Sequence, residues 1–290
     1  EYVSFTYEDH ILSQFKEETS EHEINLRNVG VSAPVGAVHV KKDHIRNHDG
    51  EFFSVVVTRT IANPKHGSDE IKKAFEEGWV GTNGYLCSDG TRQRHALAFQ
   101  GIVVTAGEET ISEVFIVDLP EDITLSGEVP LSGTETRRPY PPKGTIQRRL
   151  TYTADNKYPG IQGPRHWLRS SPDGSRIAFL MKDKDGIVQL WTISPNGGEP
   201  LQLTHNPWSI ASAFTWSPDG RYITHVMDNS VAMTEVATGK TFRLTPRSNN
   251  VNAPMPEACV FSPDGKKIAY IRRVSSLEKV YNQIFIITLK

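Results

Sequence analysis

The tetrapeptide Ser-Pro-Asp-Gly occurs three times, at residues 171–174, 217–220 and 262–265, so successive copies begin 46 and 45 residues apart. The motif reads as a turn, because proline presets φ and glycine admits positive φ. In the first copy a short apolar run comes after it, Ile177-Ala178-Phe179-Leu180, and then a polar turn. Next come the alternating stretch Val188-Gln189-Leu190-Trp191-Thr192-Ile193, a turn at Asn196-Gly197-Gly198, and Leu201-Gln202-Leu203-Thr204. The second copy repeats the order over residues 222–227, 231–236 and 242–245, with its turn at Thr238-Gly239-Lys240, and the third gives residues 268–271 and 284–287. With the segment ahead of each tetrapeptide, a unit holds four short strands in about 45 residues, the size of a β-propeller blade. One blade leaves both faces of its sheet bare, so the units must stack to cover them.

These features predict an all-β chain, a β-propeller of four-stranded blades forming one domain over residues 1–290. Regular blades are expected at 162–205, 206–246 and 250–290, and irregular ones with insertions at 1–161. The strand, Ser-Pro-Asp-Gly, strand, strand, Gly-Gly, Leu-Thr order resembles the TolB-type propeller repeat over residues 162–290. A longer set of strings is similar to a bacterial family of TolB-like propellers with no assigned function, the YidR type. They are Leu26-Arg27-Asn28-Val29-Gly30-Val31, Glu76-Glu77-Gly78-Trp79-Val80-Gly81, Phe115-Ile116-Val117-Asp118-Leu119-Pro120, Gln147-Arg148-Arg149-Leu150-Thr151 and Pro164-Arg165-His166-Trp167-Leu168-Arg169-Ser170-Ser171. The resemblance implies a family and no reaction.

Residues 2–7 fit the second strand of a blade with no first strand before them. Two arrangements account for this: the N-terminal strands complete the last blade as a clasp, or the chain is a C-terminal portion of a larger propeller, as members of the resembling family carry further blades upstream. The second is the expectation here. In the irregular half, residues 37–40, 52–58, 96–99 and 114–117 read as strands. A short helical insertion is predicted from Ser68 as N-cap, with Asp69 and Glu70 in the first turn and Ile71, Ala74 and Phe75 on one face. Gly78-Trp79-Val80-Gly81 is expected to pack that helix down, and residues 125–144, with Pro139, Pro141 and Pro142, read as a stiff surface loop.

Charged residues make up 23% of the 290 and the formal net charge is −2, so no global field favours nucleic acid or a membrane surface. No apolar run is long enough for a transmembrane helix, and no membrane insertion is expected. Cys87 and Cys259 stand alone, without zinc or disulfide spacing, and as free thiols they favour a reducing compartment, the bacterial cytoplasm over the periplasm. The chain carries no Gly-x-Ser-x-Gly elbow, P-loop, dinucleotide fingerprint or His-Glu-x-x-His. Asp183-Lys184-Asp185-Gly186 begins like a calcium loop but lacks the downstream acid, and reads as a hairpin turn.

Aligning the copies on Ser-Pro-Asp-Gly places Ser170, Trp216 and Phe261 in equivalent positions, then Leu168, Phe214 and Cys259, then His166, Ser212 and Glu257. Innermost strands line a propeller's channel, so His166 and Glu257 are expected to converge on one rim, with Arg165 and Arg169 nearby on the alternate face. The competing reading is that His166 bonds a neighbouring blade and the arginines hold interblade carboxylates. His39, His44 and His48 form a second group, and His205 comes after a blade's last strand near Trp208. Oligogalacturonide lyases are propellers that bind a divalent metal through channel histidines, and His166 ahead of Ser170-Ser171 is similar to one such position; His39 is the other candidate ligand. Trp191 and Trp216 read as core and Trp208 as exposed. These residues support two functions. One is a non-catalytic module that binds a protein or glycan at one rim through Arg165, His166, Arg169, His205, Trp208 and Glu257. The other is a metal-assisted lyase or hydrolase acting on acidic oligosaccharides.

Overall fold

A computed structural model describes residues 2–8, 27–39, 41–42, 48–133, 138–164, 167–257, 259–276 and 279–289. The first sheet joins β1 (Val3–Tyr7), β2 (Asn28–Val38) and β3 (Gly50–Val56). In the second, β4 (Ala74–Trp79) is succeeded by a small hairpin, β5 (Tyr85–Leu86) and β6 (Arg92–Gln93), before β7 (Ala96–Val104), β8 (Thr110–Asp118) and β9 (Ile146–Arg149) complete the order β4-β7-β8-β9. The third holds β10 (Arg169–Ser170), β11 (Ile177–Lys182), β12 (Val188–Ile193) and β13 (Leu201–Gln202). The fourth holds β14 (Thr215–Trp216), β15 (Tyr222–Met227), β16 (Ser230–Glu235) and β17 (Thr241–Arg243), and the fifth β18 (Val260–Phe261), β19 (Lys267–Ser276) and β20 (Lys279–Thr288). Every pairing between these strands is antiparallel.

The repeated tetrapeptide builds the same turn each time. The Ser217 hydroxyl donates to Asp219 Oδ1 at 2.5 Å, Asp219 Oδ1 accepts the Arg221 amide at 3.0 Å, and Ser217 and Tyr222 exchange the bonds that start the next pairing. Ser171 with Asp173 and Ser262 with Asp264 reproduce it. The glycines sit at φ +75°, +71° and +69°, where a Cβ is disfavoured.

Successive sheets touch through their first strands: β10 meets β4, β14 meets β10, and β18 meets β14. Sheets in such a series bury both faces, which explains why β11 reads as an unbroken apolar run instead of alternating. Ile177, Phe179 and Met181 pack toward the second sheet with Ala98, Ile116 and Leu168, while Ala178 and Leu180 pack toward the fourth with Phe214 and Ile223. Among the described residues no strand of the fifth sheet pairs with one of the first, and the series is open. The outer face of β20 accordingly shows Ile284 at 72% and Ile286 at 64% exposure.

The predicted helical insertion is corrected: the only helical element among the described residues is a 3-10 turn at Asn250–Asn252, and residues 74–79 form β4. Ser68 does accept the Glu70 amide as a cap would, at 3.2 Å. Its hydroxyl also donates to Lys65 O, and Glu70 Oε2 accepts the Lys65 amide, so the segment closes back on itself as a turn. The backbone of residues 71–73 is then taken up by long-range partners: Ile71 O by Ile61, Lys72 N by Ile102 O, and Lys73 O by Ile102 N. A helix this short gains too little from its own bonds to compete. Trp79 packs edge-on to Tyr2 and His95 rather than onto a helix.

The β5–β6 hairpin lies over the seam between the second and third sheets. Gly81 N donates to Ser170 Oγ at 2.9 Å, Thr82 N to Pro172 O at 2.8 Å, and Asn196 Nδ2 to Leu86 O at 2.9 Å. Tyr85 donates to Asp118 Oδ1, and Arg148 donates to both the Tyr85 hydroxyl and Asp118 Oδ2. Burial, reinforced by the Asp118 charge, pushes the Tyr85 phenol well above its ordinary range, so it stays a donor.

Candidate functional site

Strands β10, β14 and β18 all run into a Ser-Pro-Asp-Gly turn, so those turns share one end of the sheets. The β11–β12 turn and the connection 203–214 share the opposite rim. At the first end, Pro172, Pro218 and Pro263 border a depression of about 420 Å³ with Trp79, Arg169 and Trp216. At the opposite rim lies a cleft of about 700 Å³ lined by Tyr158, Lys182, Trp191, His205 and Asn206, among others.

That cleft is built around Gln189, which is buried and fully bonded. Its Nε2 donates to Asp183 Oδ2 and Asn206 O, and its Oε1 accepts Thr204 Oγ1 and Asn206 N. One amide thereby ties the β11–β12 turn to the loop carrying His205 and Trp208. Ile210 N to Val188 O and Val188 N to Ser209 Oγ hold the far side of the loop. Asp183 accepts the Asp185 and Ile187 amides as well; burial opposes its charge, but these bonds together hold its carboxyl below the usual range. The segment is the hairpin turn read from the sequence, and its leading acid is occupied by backbone.

His205 is exposed and its Nδ1 lies 3.1 Å from Gln202 Nε2. Trp208 is 46% exposed, with the Arg243 guanidinium 4.9 Å from its ring centroid. Arg243 is in turn fixed by Asp228 and by Ser230 Oγ, and Asp228 also takes Arg247 Nε at 2.9 Å. The indole is thus half-exposed and backed by a fixed guanidinium. Trp191 donates to Met181 O and Trp216 to Arg169 O, both half-buried and packed against core, as expected.

Among the described residues, none of the other candidates lines that cleft. Arg165 and His166 fall outside the described residues, as does His44. Arg169 is half-buried under the opposite depression, its guanidinium 4.8 Å from the Trp167 ring centroid and donating to Leu168 O. Burial lowers its pKa, and the Glu76 charge acts against that. Glu257 is half-buried, next to Pro256, whose carbonyl accepts the Ala213 amide. Ser212, its equivalent in the repeat, is buried and bonded to backbone. His39 is 83% exposed, 3.6 Å from Asp49, whose carboxylate already has Lys42 at 2.9 Å. Among the described residues no three His, Cys, Asp or Glu side chains converge as a metal site.

Tyr158, Lys157 and Asn206 line the cleft and were not singled out by sequence reading. Residues 156–158 carry no motif; only the stacking of the second and third sheets brings them against the β11–β12 turn. Asn206 Nδ2 is buried without a hydrogen-bond partner, which no sequence pattern announces.

Residues 1–48 match the family described as "Protein of unknown function (DUF3748)". Over 275 residues the chain is 47% identical to the uncharacterized protein YidR of Escherichia coli (strain K12), a match covering 93% of this chain and 62% of YidR. Among solved structures, TolB from Acinetobacter baumannii matches with a TM-score of 0.43 at 19% identity, covering 89% of this chain and 45% of that one. An oligogalacturonate lyase from Vibrio parahaemolyticus matches with a TM-score of 0.31 at 14% identity, over 43% of this chain and 35% of that one. The chain spans about three fifths of the length of YidR. The resemblance to YidR, read from strings scattered between Leu26 and Ser171, therefore holds along nearly the whole of this sequence.

Proposed function

We propose that the chain is a non-catalytic binding module that takes a glycan at the rim bearing the loop 203–214. The observation carrying this is the half-exposed Trp208, backed by Arg243, on the loop whose His205, Asn206 and Pro207 line a cleft of about 700 Å³ together with Tyr158, Trp191 and amide side chains. Sugar rings stack their C–H faces on such aromatics while amides meet their hydroxyls.

Titration calorimetry with a panel of oligosaccharides tests it. Binding by the intact chain, weakened about tenfold or more in Trp208→Ala, supports the reading. A protein ligand captured at the same rim with no saccharide binding would overturn it. Release of an unsaturated uronate from acidic oligosaccharides in the presence of a divalent metal would replace it with the lyase reading built on His166.

A further inference from the structure

We infer that the ligand of this cleft is an acidic saccharide, with its carboxylate drawn to Lys157 and Lys182. This rests on the glycan reading of the rim and names the class of glycan.

Lysines outnumber carboxylates along the cleft, with Lys157, Lys182 and Lys184 against Asp183 and Asp185. Lys157 Nζ and Lys182 Nζ stand 5.2 Å and 5.3 Å from the centroid of the same Tyr158 ring. Lys157 has one long bond, 3.4 Å to Lys184 O, and Lys182 has the ring alone. Two ammonium groups near one aromatic ring are like charges, and an anion drawn to them offsets their repulsion. Asn206 Nδ2 adds a buried donor in want of an acceptor.

The opposing charges are accounted for. Asp183 accepts two backbone amides and the Gln189 amide and keeps its charge, so Asp183 and exposed Asp185 stand against Lys157, Lys182 and Lys184. Trp191 has its indole N–H committed to Met181 O and offers the cleft only carbon surface. Cations, a donor amide and two aromatic walls suit a sugar ring that carries a carboxylate, and suit a neutral sugar less.

The test compares a neutral oligosaccharide with the uronate oligomer of the same ring stereochemistry and linkage, by calorimetry at low and physiological ionic strength. The acidic oligomer is expected to bind about tenfold or more tightly than the neutral one, with the advantage shrinking as salt rises. In Lys157→Gln/Lys182→Gln, with the fold checked by melting temperature, the preference should collapse to about twofold. Equal or weaker binding of the acidic oligomer, or a preference that survives the double substitution, overturns the acidic assignment and leaves the glycan site standing. Binding of neither oligomer overturns both.

Discussion

Gly174 and Gly84 interlock: a Cβ on Gly174 would come within 2.2 Å of the Gly84 carbonyl oxygen, because the β5–β6 insertion is laid directly on the first Ser-Pro-Asp-Gly turn. Gly220 occupies the same place in the second copy, at nearly the same φ, but its nearest obstacle is Pro172 Cδ at 3.5 Å. Gly220→Ala should therefore cost only the left-handed backbone penalty, about 1–2 kcal/mol. Gly174→Ala adds a backbone clash and should cost several times more; equal losses in urea denaturation would refute the interlock.

His225 is buried with Nε2 at 2.9 Å from Thr234 Oγ1 and no partner for Nδ1, and burial lowers its pKa to about 4 from the usual 6.5. The unfolded chain gains a proton that the folded chain refuses, so stability is full above pH 6.5 and is lost as pH falls toward 4. The loss from this one group is expected to reach up to about 3 kcal/mol. Denaturation midpoints measured from pH 7 to pH 4.5 should decline, and the decline should be much shallower in His225→Gln.

Asp219 is held below its ordinary value first by the Ser217 hydroxyl and then by the Arg221 amide, and Asp264 likewise by Ser262 and Lys266. A depressed carboxyl stabilises the fold above its unfolded value of 3.8, and that contribution is lost as pH falls through the lower folded value. Asp219→Ala removes the acceptor for two bonds and should cost about 1–2 kcal/mol near neutral pH, with a smaller loss for Asp219→Asn. Equal melting temperatures for all three proteins would show that the turn does not depend on the carboxylate.

Glu113 is a fully buried carboxylate, paired with Arg149 at 3.0 Å and accepting from Thr151 Oγ1, Thr153 Oγ1 and Thr153 N. Removing it by Glu113→Ala leaves the nearly buried Arg149 guanidinium with the more distant Asp69, at 3.4 Å, as counter-charge and should cost about 3–5 kcal/mol, read as a fall in melting temperature. Glu113→Gln keeps the shape and acceptor and should lose less.

Trp208→Ala is expected to move stability by less than about 1 kcal/mol, since the ring is 46% exposed and backed chiefly by Arg243. Loss of saccharide binding without loss of fold is the signature that separates a platform from a core residue. A large drop in melting temperature would place Trp208 in the structure rather than in the site.

The repeated turns and the strands after them were legible because their causes are local. Proline, aspartate and glycine fix the turn within six residues, and the strand runs at 177–180 and 222–227 need only a neighbouring sheet on each face. His205 and Trp208 were legible for the same reason, as polar and aromatic residues in a loop with a proline between them. Ser68 carried a genuine local signal too, and its cap bond to Glu70 forms.

The path of the backbone beyond Ser68 was set from a distance, by Ile61 and Ile102 taking the bonds that a helix would have used. The cleft is of the same kind: Tyr158 and Asn206 are 48 positions apart, and only sheet stacking and the Gln189 amide bring them to one wall. Turn chemistry, strand period and kinship with YidR are written in neighbouring residues, and the amino-acid order was enough to read them. The backbone partners of residues 71–73 and the donors gathered in one cavity came from the folded arrangement, because both depend on pairings whose free energy comes from surfaces distant in the chain.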